Sequence, residues 1–454
     1  MANITFEETF EKLLAEKKYS TIKDVLITMN PSDVAAMLEG VGEEAMPLLF
    51  RLLPKEQAAE TFVEMDSEYQ ELLILGFSDK ELHEVVAEMY VDDAVALVDE
   101  MPANVVKRIL AQADPQMRKE INEILRYPEY SAGSIMTTEY VNLRPSMTCG
   151  EAITHIRRTG VDKETIYTCY VTRERKLLGT VTVRELLTSP DGALVESLME
   201  TNVISVETHD DREDVARMFA KYNFIALPVV DSEMRMVGIV TFDDAMDVIE
   251  EETTEDIEIM AGMVPSEKPY LRSSPFELFK NRMPWLLILM VSATFTGLII
   301  TNSEHALAAQ VVLAAFIPML MGTGGNSGAQ ASVTVIRALS LDEIELKDLP
   351  VIIWKEIRTA VLCGVVLAAA CFVKIMLVDG LAMRNPNVTP TVALTVCITM
   401  AFTVLVAKVI GCILPLVAKK LGFDPAVMAS PFITTIVDAL SLLIYFLIAD
   451  ITLI

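Results

Sequence analysis

The sequence predicts a multidomain chain: an α-superhelical N domain, a tandem pair of α/β domains, and an all-α polytopic membrane domain with five transmembrane helices. Three observations lead there. First, the 454 residues combine a mean hydropathy of +0.40 with a formal net charge of −27, properties that one globular class does not hold together. Second, the charge is confined: residues 1–282 carry 54 Asp and Glu against 28 Lys and Arg, whereas residues 283–454 carry 10 against 9. Third, two different internal repeats fill the acidic part before residue 250.

The first repeat has a period of about 24 residues and runs through "NPSDVAAMLEGV", "LPKEQAAETFVEM", "FSDKELHEVVAEM" and "MPANVVKRILAQA", marked by Pro31, Pro54, Ser78 and Pro102. Proline or serine at a helix start, followed by Ala, Leu and Val at helical spacing, predicts stacked helical hairpins. Residues 1–130 are therefore expected to form a small helical superhelix. Its opening, "MANITFEETFEKLLAEKKYS", is acidic and amphipathic without an apolar core, so the soluble part is expected to stay in the cytoplasm.

The second repeat spans residues 131–250. "GSIMTTEYVNLRPSMTCGEAITHI" with "TIYTCYVTRERKLLGTVTVRELL" recurs as "ESLMETNVISVETHDDREDVARMF" with "FIALPVVDSEMRMVGIVTFDDAMDVI". Met136 matches Met199 and Gly179 matches Gly238. Each unit reads strand, helix, strand, turn, strand, helix. This pattern resembles a tandem pair of cystathionine-β-synthase-type (CBS) domains. The resemblance implies an adenine nucleotide such as ATP at a Ser/Thr-x-x-Asp turn; Thr241-x-x-Asp244 fits, and Thr182-x-x-Glu185 departs from it.

A connecting helix and linker are expected over 243–282. Within 242–258 nine acids occur with no base, so an isolated helix would suffer repulsion between carboxylates four residues apart. The segment is either a solvated linker or a helix bridged by divalent cations to acidic neighbours. So acidic a field repels phosphate, which excludes nucleic acid as a partner. The six cysteines show no paired spacing and the four histidines are scattered; reduced packing thiols and no enzymatic activity are expected.

Residues 283–454 form the expected transmembrane domain. Uncharged or nearly uncharged runs at 283–303, 305–336, 359–378, 389–418 and 426–449 give five spans. The connections that carry Arg337, Lys347, Lys355, Arg358, Lys419 and Lys420 are expected inside, and the carboxyl terminus outside. Two stretches within the spans are unusual. "IPMLMGTGGNSGAQASVTVIRAL" places four glycines in seven residues beside Asn326, Ser327 and Gln330, which weakens a helix and suits either tight packing or the lining of a path. "PFITTIVDALSLLIYF" puts Asp438 inside an apolar span, where a carboxylate costs roughly 2.5–3.5 kcal/mol at the bilayer centre. Lys408, mid-span in the fourth helix, is one partner that could neutralise it.

"PMLMGTGGNSGAQ", "LGFDPAVMASPF" and "TTIVDALSLLIYF", with the preceding domains in order, resemble the MgtE family of magnesium channels. The resemblance covers the whole chain. It implies a homodimer in the plasma membrane that carries Mg²⁺ through a two-fold pore, with cytoplasmic N-terminal domains and an acidic "plug" helix that closes the pore when cytosolic Mg²⁺ is bound. The pore would use Asp438, carbonyls near Thr434 and Thr435, Asn326 and Gly325. The regulatory sites would use Asp244, Asp247, Glu252, Glu255 and Asp256 of the connecting helix, Asp424, Glu213, and Asp92 or Asp93. Asn223 stands where an acid would be expected by resemblance. Transport of another divalent ion such as Mn²⁺ or Co²⁺, and a membrane-anchored sensor that transports nothing, are the alternatives.

Overall fold

The computed structural model describes residues 6–42, 44–266, 270, 273–341, 343–428 and 430–453. Residues 1–5 of the expected N domain, and 267–269 and 271–272 of the expected connecting segment, lie outside the described residues. The chain folds as two compact units, residues 1–249 and 250–454.

The N domain is built from α1 (Phe6–Ala15), α2 (Tyr19–Leu26), α3 (Pro31–Gly40), α4 (Met46–Phe50), α5 (Lys55–Val63), α6 (Ser67–Gly76), α7 (Asp79–Val86), α8 (Val91–Glu100), α9 (Ala103–Gln112) and α10 (Pro115–Ile124). The 24-residue period marks helix starts. Asn30 accepts from the Ser32 amide ahead of Pro31, Ser78 and Glu81 form a reciprocal capping box, and Pro54 and Pro102 are N-cap residues. The Asn30 and Ser78 caps satisfy amides that have no partner within the helix. Phe50, Phe62 and Phe77 pack together between successive repeats, with ring centroids 5.4–6.4 Å apart.

The second repeat gives two three-stranded sheets. The first unit contains β1 (Tyr140–Leu143), α11 (Cys149–Thr159), β2 (Thr165–Arg173), β3 (Lys176–Thr182) and α12 (Val183–Thr188). A short α13 (Val195–Leu198) leads to β4 (Val206–Glu207), α14 (Arg212–Tyr222), β5 (Ala226–Val230), β6 (Met236–Thr241) and α15 (Phe242–Met260). In each sheet the first pair is parallel and the second antiparallel. The residues that mark the repeat in the sequence are the ones that interlock. Met136 of the first unit lies against Gly238 of the second, and Met199 of the second lies against Gly179 of the first. A side chain at either glycine would collide with backbone and methionine.

In the membrane domain α16 (Pro275–Asn302), α17 (Glu304–Ala309), α18 (Ile317–Ser340), α19 (Leu349–Lys374), α20 (Pro390–Leu421) and α21 (Ser430–Leu453) follow one another. Residues 311–316 form a 3₁₀ turn, and α19 continues as a π-helical stretch over Ile375–Ala382. Five of these helical segments are long and apolar enough to cross a membrane. The first begins at Pro275 behind a Ser274–Glu277 capping box, ahead of the uncharged run expected from residue 283.

The glycine-rich stretch calls for a correction, because α18 runs unbroken from Ile317 to Ser340. Three of its glycines, Gly324, Gly325 and Gly328, are contact points. A Cβ at Gly324 would meet Thr403 and Ser441, one at Gly328 would meet Ile433 and the Ala407 carbonyl, and one at Gly411 of α20 would strike the Gly328 carbonyl. Helix propensity gives way here to the close approach of three helices, which only small residues permit. Gly411→Ala should therefore cost about 1–3 kcal/mol of stability through overpacking, read as a lower thermal midpoint of the detergent-solubilised protein. Gly322→Ala, which meets nothing within 4 Å, should not lower the midpoint and gains helix propensity.

Candidate functional site: two groups of carboxylates

Within the membrane unit, Asp438 sits on α21 beside Gly325 of α18. A Cβ on Gly325 would be 3.2 Å from Thr434 Cγ2 and 3.5 Å from Asp438 Oδ1. The missing side chain lets the two helices bring Gly325, Thr434 and Asp438 together. Asp438 has no hydrogen-bond or ion-pair partner among the described residues. The Thr434 and Thr435 hydroxyls both donate to the Pro431 carbonyl at 3.0 Å, and their own carbonyls lie in continuous helix. Each of those carbonyls keeps one lone pair for a water. Asn326 stands next to Gly325 but belongs to an exposed stripe on α18: Gly322, Asn326, Gln330, Thr334 and Arg337. Residues at three- and four-residue spacings such as these form one helix face.

Lys408 does not pair with Asp438. Its ammonium lies 3.9 Å from Glu356 Oε2 of α19. The sequence held no local cue to that partner, which is 52 residues away on another helix.

In the first unit the starts of several elements bring a second group together. Asp92 and Asp93 occupy the first turn of α8, and Asp243 and Asp244 the first turn of α15. Glu139 and Glu164 flank β1 and β2 and join the cluster, although nothing in the local sequence marked them. The Val91 amide donates to Glu139 Oε2 at 3.3 Å, and Thr241 donates to Asp244 Oδ2 at 2.5 Å. Glu164 Oε2 is buried without a hydrogen bond. Burial, reinforced by Asp244 and Asp243, pushes Asp93 up to about 7, and burial with Asp92 alongside pushes Glu164 up to about 9. Burial with Asp93 alongside raises Asp92, and burial with Asp92 alongside raises Asp244. Among the described residues no three acidic, histidine or cysteine side chains are grouped so that they could hold a metal ion.

The remaining expected regulatory residues are dispersed. Glu213 is paired with Arg217 at 2.5 Å on α14. Asn223 caps the same helix with φ of +56°, a left-handed position that asparagine tolerates well. Asp247, Glu252, Glu255 and Asp256 all lie on α15. Asp424 accepts from the Ala426 amide at 2.7 Å and so caps the turn before α21. Just past α15, Gly262 has φ of +72° and packs on Pro431, with 3.1 Å between a Cβ at Gly262 and Pro431 Cγ. The end of the acidic helix therefore touches the base of the helix that carries Asp438.

Family descriptions match the chain in three parts: "MgtE intracellular N domain" over residues 29–130, "CBS domain" over 132–191 and 195–251, and "Divalent cation transporter" over 317–448. The chain is similar to the magnesium transporter MgtE of Thermus thermophilus, 34% identical over 446 residues and 97% of each chain. It is also similar to the magnesium transporter MgtE of Bacillus subtilis, 31% identical over 451 residues and 98% of each chain. Among solved structures, the cytosolic domain of the Mg²⁺ channel MgtE in complex with ATP matches with 35% identity and a TM-score of 0.51, covering 54% of this chain and 100% of that one. The soluble part of a magnesium transporter matches with 28% identity and the same TM-score, covering 54% and 97%.

The acidic cluster has a measurable consequence. Its folded-state carboxyls keep protons up to pH 7 or above, whereas unfolded Asp and Glu ionise near pH 4 (about 3.9 and 4.3). Between those limits the native state binds more protons, so stability falls as pH rises. A divalent cation offsets that loss. The Mg²⁺-induced rise in Tm of the purified chain should be larger at pH 8 than at pH 6, and Asp93→Asn or Glu164→Gln should shrink it. An equal rise at both pH values would contradict a cation site there.

Proposed function

The chain belongs to the MgtE family of magnesium transporters, and we propose that it carries Mg²⁺ across the plasma membrane through a path at Asp438, closed by Mg²⁺ bound to its acidic first unit. The observation that carries this reading is the carboxylate without a protein partner beside the Gly325 face of α18.

Magnesium prefers oxygen ligands and gives up its water reluctantly. A homodimer would set two Asp438 carboxylates across a two-fold axis, where they repel until a cation lies between them. Held through its water shell, the ion is attracted without full dehydration and can still leave. The Thr434 and Thr435 carbonyls, Gly325 and Asn326 would border the same passage. The polar stripe of α18 supports a second copy, since Asn326, Gln330 and Arg337 would be costly against lipid. The inside loops would hold the basic residues, which puts the first unit in the cytoplasm and the carboxyl terminus outside.

For regulation, Asp92, Asp93 and Asp244 would share a hydrated Mg²⁺, and Asp247, Glu252, Glu255, Asp256, Asp424 and Glu213 would contribute further sites. Neutralised, the cluster stops repelling α15, whose far end bears on Pro431 through Gly262. Moving a two-state gate from 1:99 to 99:1 takes about 5.5 kcal/mol, and one half-saturated site contributes only about 0.4 kcal/mol. Many weak sites, doubled in a dimer, are therefore needed. A solved relative holds ATP, and the Thr241–Asp244 turn would receive an adenine nucleotide here.

Flux into proteoliposomes tests the reading. Asp438→Asn should abolish Mg²⁺ flux while the protein stays folded; normal flux in that variant contradicts the path. Removing residues 1–250 should leave transport intact and abolish closure by Mg²⁺ on the cytoplasmic side. A truncated protein that still closes would overturn the gating. Mn²⁺ and Co²⁺ measured alongside Mg²⁺ define the selectivity.

A further inference from the structure

Lys408 and Glu356 are a buried ion pair that transport through Asp438 does not by itself require. The Lys408 side chain is 7% exposed and that of Glu356 15%, and their nearest charged atoms are 3.9 Å apart. Neither makes another ion pair or hydrogen bond among the described residues. At that separation the attraction is between charges, with room for a bridging water.

The pair is not needed to hold α19 to α20. Those helices already meet through small residues, Gly364 against the Ala401 backbone at 3.4 Å for a Cβ, and apolar residues in place of a buried pair are usually as stable or more so. The neighbours of Lys408 give the pair another meaning. Ala407, the preceding residue, packs with Ile433 and Val437 of α21, and its carbonyl faces Gly328 of α18. Gly411, one turn further, lies on the Gly328 carbonyl. At this level α20 therefore backs the two helices that carry Gly325 and Asp438. On α21, against which α20 packs at this level, Asp438 is a carboxylate with no partner among the described residues.

We propose that Glu356 is a positioning residue of the cation path: it holds the Lys408 ammonium toward α19, so that a buried positive charge does not compete with Mg²⁺ for Asp438. This rests on the reading of Asp438 as the ion's partner. The pairing separates two intramembrane charges of opposite sign, and leaves Asp438 available to a mobile cation.

The test is the Mg²⁺ concentration that gives half-maximal flux, measured in proteoliposomes with the full chain. Glu356→Gln should raise it by about tenfold, the scale of one uncompensated charge near a partly buried site. Lys408→Met should leave it within about twofold of the wild type, and Lys408→Met added to Glu356→Gln should restore it. A plain helix clamp predicts otherwise: both single variants would lose maximal flux alike, and the double variant would be no better. That result overturns the proposal, as does an unchanged value in Glu356→Gln. If Glu356→Gln does not fold, Glu356→Asp keeps the charge with a shorter reach; its half-maximal concentration should rise, and no change overturns the inference. Asp438→Asn is measured beside these. Lost flux there with a normal Glu356→Gln rejects this inference alone, whereas normal flux in Asp438→Asn rejects the path and this inference with it.

Discussion

One carboxylate, left without a protein partner inside an apolar helical unit, sets the terms for the membrane half. Asp438 lies beside Gly325 of α18, where a Cβ would crowd Thr434 at 3.2 Å. The contacts at Gly324, Gly328 and Gly411 bring α18, α20 and α21 to the same close spacing. A charge in such surroundings is tolerated when something mobile and positive shares the space. Lys408, a fixed cation that could have neutralised it, is paired with Glu356 on α19. In a family of magnesium transporters we propose that a cation from solution, the cargo itself, is what neutralises Asp438.

The same physics recurs in the first unit on a larger scale. Several carboxyls meet at the starts of α8 and α15 and beside β1 and β2, with protons held more tightly than usual because burial and mutual repulsion penalise ionisation. The arrangement stores repulsion that a divalent ion would relieve. The reciprocal contacts of Met136 with Gly238 and Met199 with Gly179 tie the two CBS units into one body. Within the second unit, Gly262, just past the end of α15, packs on Pro431 at the base of α21. We read the acidic half and the lone aspartate as two uses of one attraction, weak and numerous in the first and single and central in the second.

The features legible in the sequence were those written in local chemistry. Pro31, Pro54, Ser78 and Pro102 mark helix starts because capping acts within a few residues. The doubled strand–helix pattern and the five apolar runs are equally local. The Ser274–Glu277 box that starts α16 was also legible by its spacing, although the uncharged run drew attention eight residues later. Features that depend on distant neighbours were hidden. Glycine composition at 322–328 suggested a weakened helix, yet packing against α20 and α21 keeps α18 continuous. Glu356, Glu139 and Glu164 gain their meaning only from groups that the fold brings beside them. Asp438 lay between these cases: its cost was visible in the sequence, and its lack of a partner was visible only in the fold.

A map of the assembled protein in Mg²⁺, sharp enough to resolve ordered water, tests the central claim most directly. The account predicts two copies of Asp438 facing across an axis, with a hydrated ion between them and Lys408 turned to Glu356. Asp438 against lipid, or bound to a protein cation with no aqueous path beside it, would contradict the account.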